Sequence, residues 1–166
     1  LDPVMVAGSG DRLLADDAAA VVRDELMRRS TVVTPNVPEA AALLGRELAD
    51  DEIVLRDASR ELCERSGAAI LLKGGHRKGD ADDLFAHAGG ERVLEAERIP
   101  GVFTHGTGCT LSSALAALLA RGHALDDAVG EAKAYVTRAI AEGIQLGHGQ
   151  GNLHFFWEYY GSEGLP

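Results

Sequence analysis

An α/β fold with a mostly parallel central sheet flanked by helices is the class this sequence predicts, and three observations predict it. Short β-branched or aliphatic runs alternate with longer segments whose apolar residues recur at helical spacing, the pattern of strands joined by crossover helices. Glycine and proline punctuate the segments, closing the strands and ending the helices. Polar or glycine-rich residues stand at three points where a strand ends and a helix or turn follows: Thr34-Pro35-Asn36 with Glu39, Lys73-Gly74-Gly75-His76, and Gly106-Thr107-Gly108-Cys109. In sheets of this kind, ligands bind at the carboxyl ends of the strands, so these three signals are expected to meet on one edge.

Taken in order, residues 1–6 are apolar and break at the turn signal Gly8-Ser9-Gly10-Asp11. Asp16 and Asp17 open a helix whose apolar positions keep a 3.6-residue period to about Arg28. Thr31 to Thr34 is a β-branched run stopped by Pro35, hence a buried strand. Residues 38–44 are a short helix with Pro38 in its first turn and Gly45 after its last. A longer helix over 53–66 ends at Gly67, and 68–73 is a second buried strand. Residues 82–88 and 92–98 flank Gly89-Gly90 and read as a hairpin. Two helices follow, over 111–121 and 125–146, and then a tail with Phe155, Phe156, Trp157, Tyr159 and Tyr160 that is expected to pack as an ordered end.

At 166 residues and 46% hydrophobic content the chain can bury one sizeable core, so a single domain over 1–166 is expected. A formal net charge of -10 argues against nucleic acid or an anionic membrane as the partner. No apolar run approaches the roughly 20 residues of a membrane span. Two cysteines, Cys63 and Cys109, are too few for a disulfide framework, and the histidines lack metal-ligand spacing. The expected setting is cytoplasmic.

The turn at 106–109 is the most informative stretch. Glycines let the main chain approach an anion closely, and the N–H groups and dipole of the following helix point at it; the plainer reading is an ordinary turn capped by Thr107. Cys109 stands at the helix start, where a thiolate is favoured. Cys109 and His105 also fit a nucleophile–base pair, although His105 precedes the turn and need not face the thiol. Lys73, one of three lysines, suits either a cation that neutralises a transferring phosphoryl group or a strand-end lysine reaching solvent. Glu39 suits either a helix-dipole partner or, with Asp2, a carboxylate pair for Mg²⁺ beside phosphate. Cys63 reads as a small core residue.

These residues carry a resemblance. Asp2-Pro3-Val4-Met5 with Ser9-Gly10-Asp11, the segment from Thr34 to Glu39, Leu72 to His76, Thr104 to Thr110 and Ala132 to Val136 occur in the order and spacing of the hydroxymethylpyrimidine/phosphomethylpyrimidine kinases of thiamine biosynthesis. That family belongs to the ribokinase-like superfamily, and the resemblance covers nearly the whole chain. It implies ATP-dependent phosphorylation of 4-amino-5-hydroxymethyl-2-methylpyrimidine and then of its monophosphate. By resemblance Gly106, Thr107, Gly108 and Cys109 form the anion hole, and Lys73, Gly75, Thr107 and Asn36 serve the nucleotide. Asp2 and Glu39 would organise Mg²⁺ through water, while Val4 and Cys109 would line the pyrimidine. Most ribokinase-like enzymes carry Asp where this chain has Cys109. The resemblance also implies a homodimer, and an N-terminal portion ahead of Asp2 that this sequence does not include, so the chain is expected to be the C-terminal, nucleotide-binding portion of the fold. Three other readings stand beside it: a pyridoxal kinase of the same superfamily, a non-catalytic module that binds thiamine precursors, and an ATP-independent cysteine hydrolase using Cys109 and His105.

Overall fold

The computed structural model of the chain describes residues 1–5, 13–75, 80–100, 105–145, 148 and 151–160. The turn expected at 8–11, His76, Thr104 and residues 161–166 lie outside the described residues. Two compact units are distinguished, Leu1–Arg98 and Ile99–Pro166.

The first unit is an α/β layer. Helix α1 (Asp16–Val21) continues through a π-helical turn, Val22–Leu26, and a 3₁₀ turn, Met27–Arg29, so the helix expected to about Arg28 is present with two changes of pitch. The wider π turn brings residues five apart toward one face, and Val22 and Met27 both enter the core. Strand β1 (Val32–Val33) is followed by α2 (Val37–Leu44) and α3 (Glu52–Ser66), then by β2 (Ala69–Leu72), β3 (Asp83–His87) and β4 (Gly90–Leu94). The sheet runs β1-β2-β3-β4. The β1–β2 pair, joined through α2 and α3, is parallel, whereas β2–β3 and β3–β4 are antiparallel.

The α/β class is therefore the one expected, but the described sheet is mixed rather than mostly parallel. The physical reason is that β2 and β3 are both buried along their length, AILL in one and DLFA in the other. A buried strand reads as a continuous apolar run whichever way its neighbour points.

The described start of the chain forms no strand of its own, but its first residue bonds to β1 and to Thr34 just after it. The Leu1 amino group donates to the Val32 carbonyl at 2.9 Å, and the Thr34 N–H donates to the Leu1 carbonyl at 2.9 Å. That is the slanted pattern of a parallel neighbour to β1. Val4 then leaves the extended region altogether, with φ of 48°.

The core of this unit gathers Met5, Met27, Val33, Leu43, Leu55, Leu62, Ile70, Leu72 and Leu84. Helix α3 supplies Leu55, Ala58, Ser59 and Leu62 along one stripe, at the i, i+3, i+4, i+7 spacing that an amphipathic helix requires. Asp51 caps its start by accepting from the Ile53 and Val54 N–H groups, and Gly67 closes it at φ 73°.

The second unit holds α4 (Thr107–Ala120) and α5 (Leu125–Ala141). Helix α4 begins four residues earlier than the apolar pattern indicated, and α5 ends at Ala141 rather than near 146. The tail docks on α5: the His154 N–H donates to the Ala139 carbonyl at 3.0 Å, the Tyr135 hydroxyl donates to the Phe155 carbonyl at 2.8 Å, and the Arg138 guanidinium lies 5.6 Å over the Trp157 ring. Leu153 and His154 are buried there, whereas Phe155, Phe156, Tyr159 and Tyr160 remain exposed.

Candidate functional site

In the first unit the sequence places chemistry at the ends of β1 and β2, and the fold brings it together. Asn36 and Lys73 pair as a parallel bridge just past the two strands, with the Lys73 N–H donating to the Pro35 carbonyl at 2.8 Å. The bridge aligns the Lys73 side chain with the start of α2. Its ammonium lies 3.0 Å from Asp2 Oδ1 and 3.9 Å from Glu39 Oε2. The Thr34 hydroxyl adds a longer contact to Asp2 Oδ1 at 3.4 Å. The side chains of Lys73 and Asp2 are only 14% and 13% exposed, so the pair is far less screened than a surface pair would be.

Asn36 and Glu39 form a reciprocal capping box. The Asn36 side chain accepts from the Glu39 N–H at 2.8 Å, and Glu39 Oε2 accepts from the Asn36 N–H at 2.8 Å. Glu39 Oε1 takes a second backbone donor, the Met5 N–H, at 3.1 Å. Glu39 is 2% exposed. A buried carboxylate is tolerated only when hydrogen bonds or a paired charge replace its lost hydration, and this one has two backbone N–H donors with the Lys73 ammonium at 3.9 Å. The dipole-partner reading of Glu39 is thus realised in a stronger form, as a strut between the start of α2 and the segment 1–5.

That strut has a consequence for Val4. A β-branched residue at φ 48° is strained backbone, which persists only where the surroundings over-determine it. Here Pro3 precedes it, and the next residue is held at both polar groups, Met5 N–H by Glu39 and Met5 carbonyl by the Leu13 N–H at 2.9 Å. The Val4 side chain is left 45% exposed. The strain aims an apolar side chain outward from a fixed point.

After Lys73 the chain makes the glycine turn. The Gly74 N–H donates to Asp83 Oδ1 at 2.7 Å, and the Gly75 carbonyl accepts from Arg98 Nη1 at 2.8 Å. Neither Asp83 nor Arg98 was singled out by motif. The available signal was a carboxylate opening an otherwise apolar strand, Asp83-Leu84-Phe85-Ala86, where the alternation of a hairpin strand gives it no obvious solvent face.

In the second unit Gly106, at φ 81°, is the N-cap of α4, and its carbonyl accepts the first helical bond from the Thr110 N–H at 2.9 Å. The left-handed conformation is one that glycine adopts without penalty. Among the described residues no side-chain cap bond is made at this N-cap, and the N-terminal end of a helix carries the positive end of its dipole. The capped-turn reading, with Thr107 as the cap, is not the arrangement found: Thr107 and Gly108 are the first helical residues themselves. Cys109 follows with an exposed free thiol. It opens a groove between α4, α5 and the tail that Ser113, Ala117, Tyr135, Arg138 and Trp157 also line.

Chemically, the first unit offers an oriented ammonium between two carboxylates, summing to one negative charge. Among the described residues no group of three or more His, Cys, Asp or Glu side chains is placed to hold a metal ion. Asp2 Oδ1 is engaged by Lys73, and the two Glu39 oxygens by the Met5 and Asn36 N–H groups. Among the described residues no helix is long and apolar enough to cross a membrane.

Comparison with known proteins shows what the chain is similar to. A model of the phosphomethylpyrimidine kinase family matches residues 1–154. The hydroxymethylpyrimidine/phosphomethylpyrimidine kinase of Rhizobium meliloti is 45% identical over 163 residues, which is 96% of this chain and 61% of that protein. The enzyme of the same name from Escherichia coli is 43% identical over 164 residues, again 96% and 61%. The chain thus spans about three-fifths of the length of these relatives. Among solved structures, an ADP complex of Bacillus subtilis pyridoxal kinase superposes with a TM-score of 0.84 at 33% identity, over 93% of this chain and 58% of that one. A phosphomethylpyrimidine kinase from Clostridium difficile gives 0.71 at 32%, over 84% and 55%.

Proposed function

Because the chain belongs to the phosphomethylpyrimidine kinase family, we propose that the protein containing it is a cytoplasmic, homodimeric ATP- and Mg²⁺-dependent kinase. It phosphorylates 4-amino-5-hydroxymethyl-2-methylpyrimidine and then the resulting monophosphate. The observation that supports this most directly is the left-handed Gly106 at the start of α4, which puts a glycine turn and a helix N-terminus together in a chain whose relatives are named as kinases of this substrate.

Phosphoryl transfer passes through a loose transition state, so the protein contributes positioning and charge. Lys73, oriented by Asp2, neutralises charge on the nucleotide's phosphates, with Gly75 and Asn36 beside it at the strand ends. The amides of Gly106, Thr107, Gly108 and Cys109 receive the phosphoryl group in flight. Val4 and Cys109 line the pyrimidine. Asp2 and Glu39 would hold Mg²⁺ through water, and the ion would supply shielding of the phosphate charge.

Cys109 fits two steps with different needs. The hydroxymethyl group must lose a proton as it attacks, and a thiol side chain in its thiolate form can accept it. The monophosphate attacks with an oxygen that is already anionic, so no base is required, and a neutral thiol does not repel it as a fixed carboxylate would. Cys109→Asp is therefore expected to retain a measurable first phosphorylation and to lose most of the second, read by following mono- and diphosphate formation separately. Full activity of that variant on the monophosphate would sink this account of Cys109.

The pyridoxal kinase likeness at 33% identity favours a second reading, phosphorylation of pyridoxal at the same site. Turnover of the two alcohols by one preparation decides between them: the pyrimidine is expected to give the higher kcat/KM.

A further inference from the structure

Lys73 has its backbone fixed by the bridge to Asn36, but the two residues after it are glycines, the most conformationally free pair a chain can contain. A turn that must meet phosphate at a defined distance cannot get that definition from its own side chains. It gets it from the β-hairpin. Asp83, the first residue of β3 and 3% exposed, accepts the Gly74 N–H at 2.7 Å, and Arg98, four residues past the end of β4, donates to the Gly75 carbonyl at 2.8 Å. The approach is close enough to exclude any side chain at position 74, because a Cβ there would stand 1.7 Å from the Asp82 carbonyl oxygen, a backbone atom that cannot swing aside. The hairpin base is itself tied, with Asp82 Oδ1 accepting from the Ala96 N–H and the Ala81 N–H donating to the Ala96 carbonyl, both at 2.8 Å.

We propose that Asp83 and Arg98 are positioning residues: they clamp the Lys73-Gly74-Gly75 turn from the hairpin and so set how the turn meets the nucleotide's phosphates. The inference rests on the kinase reading, in which Lys73 and Gly75 serve ATP. A buried carboxylate on a backbone amide is a charge-assisted bond, stronger and more directional than a neutral one. This gives the hairpin a task that its position in the sheet alone would not require.

The test uses the full-length protein, with ATP varied at saturating pyrimidine alcohol and the reverse. Asp83→Ala is expected to raise the ATP KM by about tenfold or more, the loss of one charge-assisted hydrogen bond, while the KM for the alcohol stays within about twofold. Asp83→Asn keeps an acceptor oxygen of the same shape, and it should recover most of the loss. Arg98→Ala should raise the ATP KM alone, and Arg98→Lys should restore it in part. An unchanged ATP KM in Asp83→Ala overturns the proposal, as does an equal loss of kcat/KM for ATP and for the alcohol in Asp83→Ala and Asp83→Asn together. If Asp83→Ala does not fold, the exposed Arg98→Ala carries the same decision. ADP affinity by calorimetry separates this inference from the kinase reading. Should the wild type phosphorylate neither alcohol, weaker ADP binding in the Asp83 and Arg98 variants still supports the clamp, and unchanged binding refutes it.

Discussion

Glu39 shows how one side chain can be read correctly in type and incompletely in role. Its position in the first turn of a helix and its charge pointed to a dipole partner or a Mg²⁺-organising carboxylate, and the fold displays the first of these in a capping box. What no local pattern contains is the third bond, to the Met5 N–H 34 residues earlier. Removing the carboxylate orphans two buried backbone donors, each worth about 1–3 kcal/mol, so Glu39→Ala is expected to destabilise the protein by about 2–5 kcal/mol in urea denaturation. Asn36→Ala removes only the cap acceptor and should cost about 1 kcal/mol. Similar losses for the two variants would mean that the Met5 bond contributes little. The two cysteines separate in the same way. Cys63 is partly buried, and burial pushes its thiol above the ordinary value, with Glu64 adding to the effect. Cys109 is exposed. An alkylating reagent near neutral pH is expected to modify Cys109 well before Cys63, and bound pyrimidine should slow the first event without touching the second. Mass mapping of the labelled peptides checks both statements; labelling of Cys63 first would contradict the burial argument.

At the scale of elements, the periods and punctuation of the sequence located every described helix and strand, and what they missed was governed by tertiary contacts. The hairpin is the clearest instance. Gly89 and Gly90 marked its turn, yet nothing local said which helix it would be fastened to. That helix is α3. Glu91 on β4 meets Arg56 at 2.8 Å and Arg60 at 2.9 Å, and Arg56 also pairs with Glu52 one helical turn back. The hydrogen bonds from Arg60 and Arg56 hold the Glu91 carboxyl below its ordinary value of 4.5. A folded-state value below the unfolded one means that the contribution is complete above the unfolded pKa and is lost as pH falls through the folded one. The window therefore opens below about pH 4.5, where Glu91→Gln and the wild type should converge in denaturation midpoint, the wild type being the more stable at pH 7. Because these groups are near the surface, added salt should narrow the pH 7 difference. A gap that persists at pH 3 would assign the stabilisation to packing of the Glu91 side chain.

For the whole molecule, the sequence was most legible where a residue type has one physical use and least where two arrangements share a pattern. Glycine at 106 before a long apolar helix has few uses, and the left-handed N-cap of α4 lies at that glycine. Parallel and antiparallel strands share the apolar run, so the hairpin was readable from Gly89-Gly90 but its antiparallel pairing with β2 was not. The clamp on the Gly74 turn was unreadable for a related reason, since it joins residues nine and twenty-three positions apart through backbone groups that every residue possesses. The two units also differ in how they bury apolar surface. The first buries Leu43, Leu55, Leu62, Ile70, Leu71, Leu72 and Phe85 almost completely, whereas α4 buries only Leu111 and Leu115, and α5 buries mainly Ala128, Val129, Ala132, Val136 and Ala139. Hydrophobic stabilisation follows the apolar area removed from water, and local opening follows the stability of the segment that opens. Amide hydrogen exchange should accordingly be slowest in β2 and α3, and faster by about tenfold or more in α4, since a difference of 1.4 kcal/mol in opening free energy already gives that ratio. A ligand seated on the first-turn amides of α4 binds the closed form alone and should slow its exchange in proportion to occupancy. The comparison is made with and without ATP plus the pyrimidine: equal protection of α4 and β2 in the free protein would contradict the burial argument, and an α4 unmoved by ligand would contradict the anion site behind Gly106.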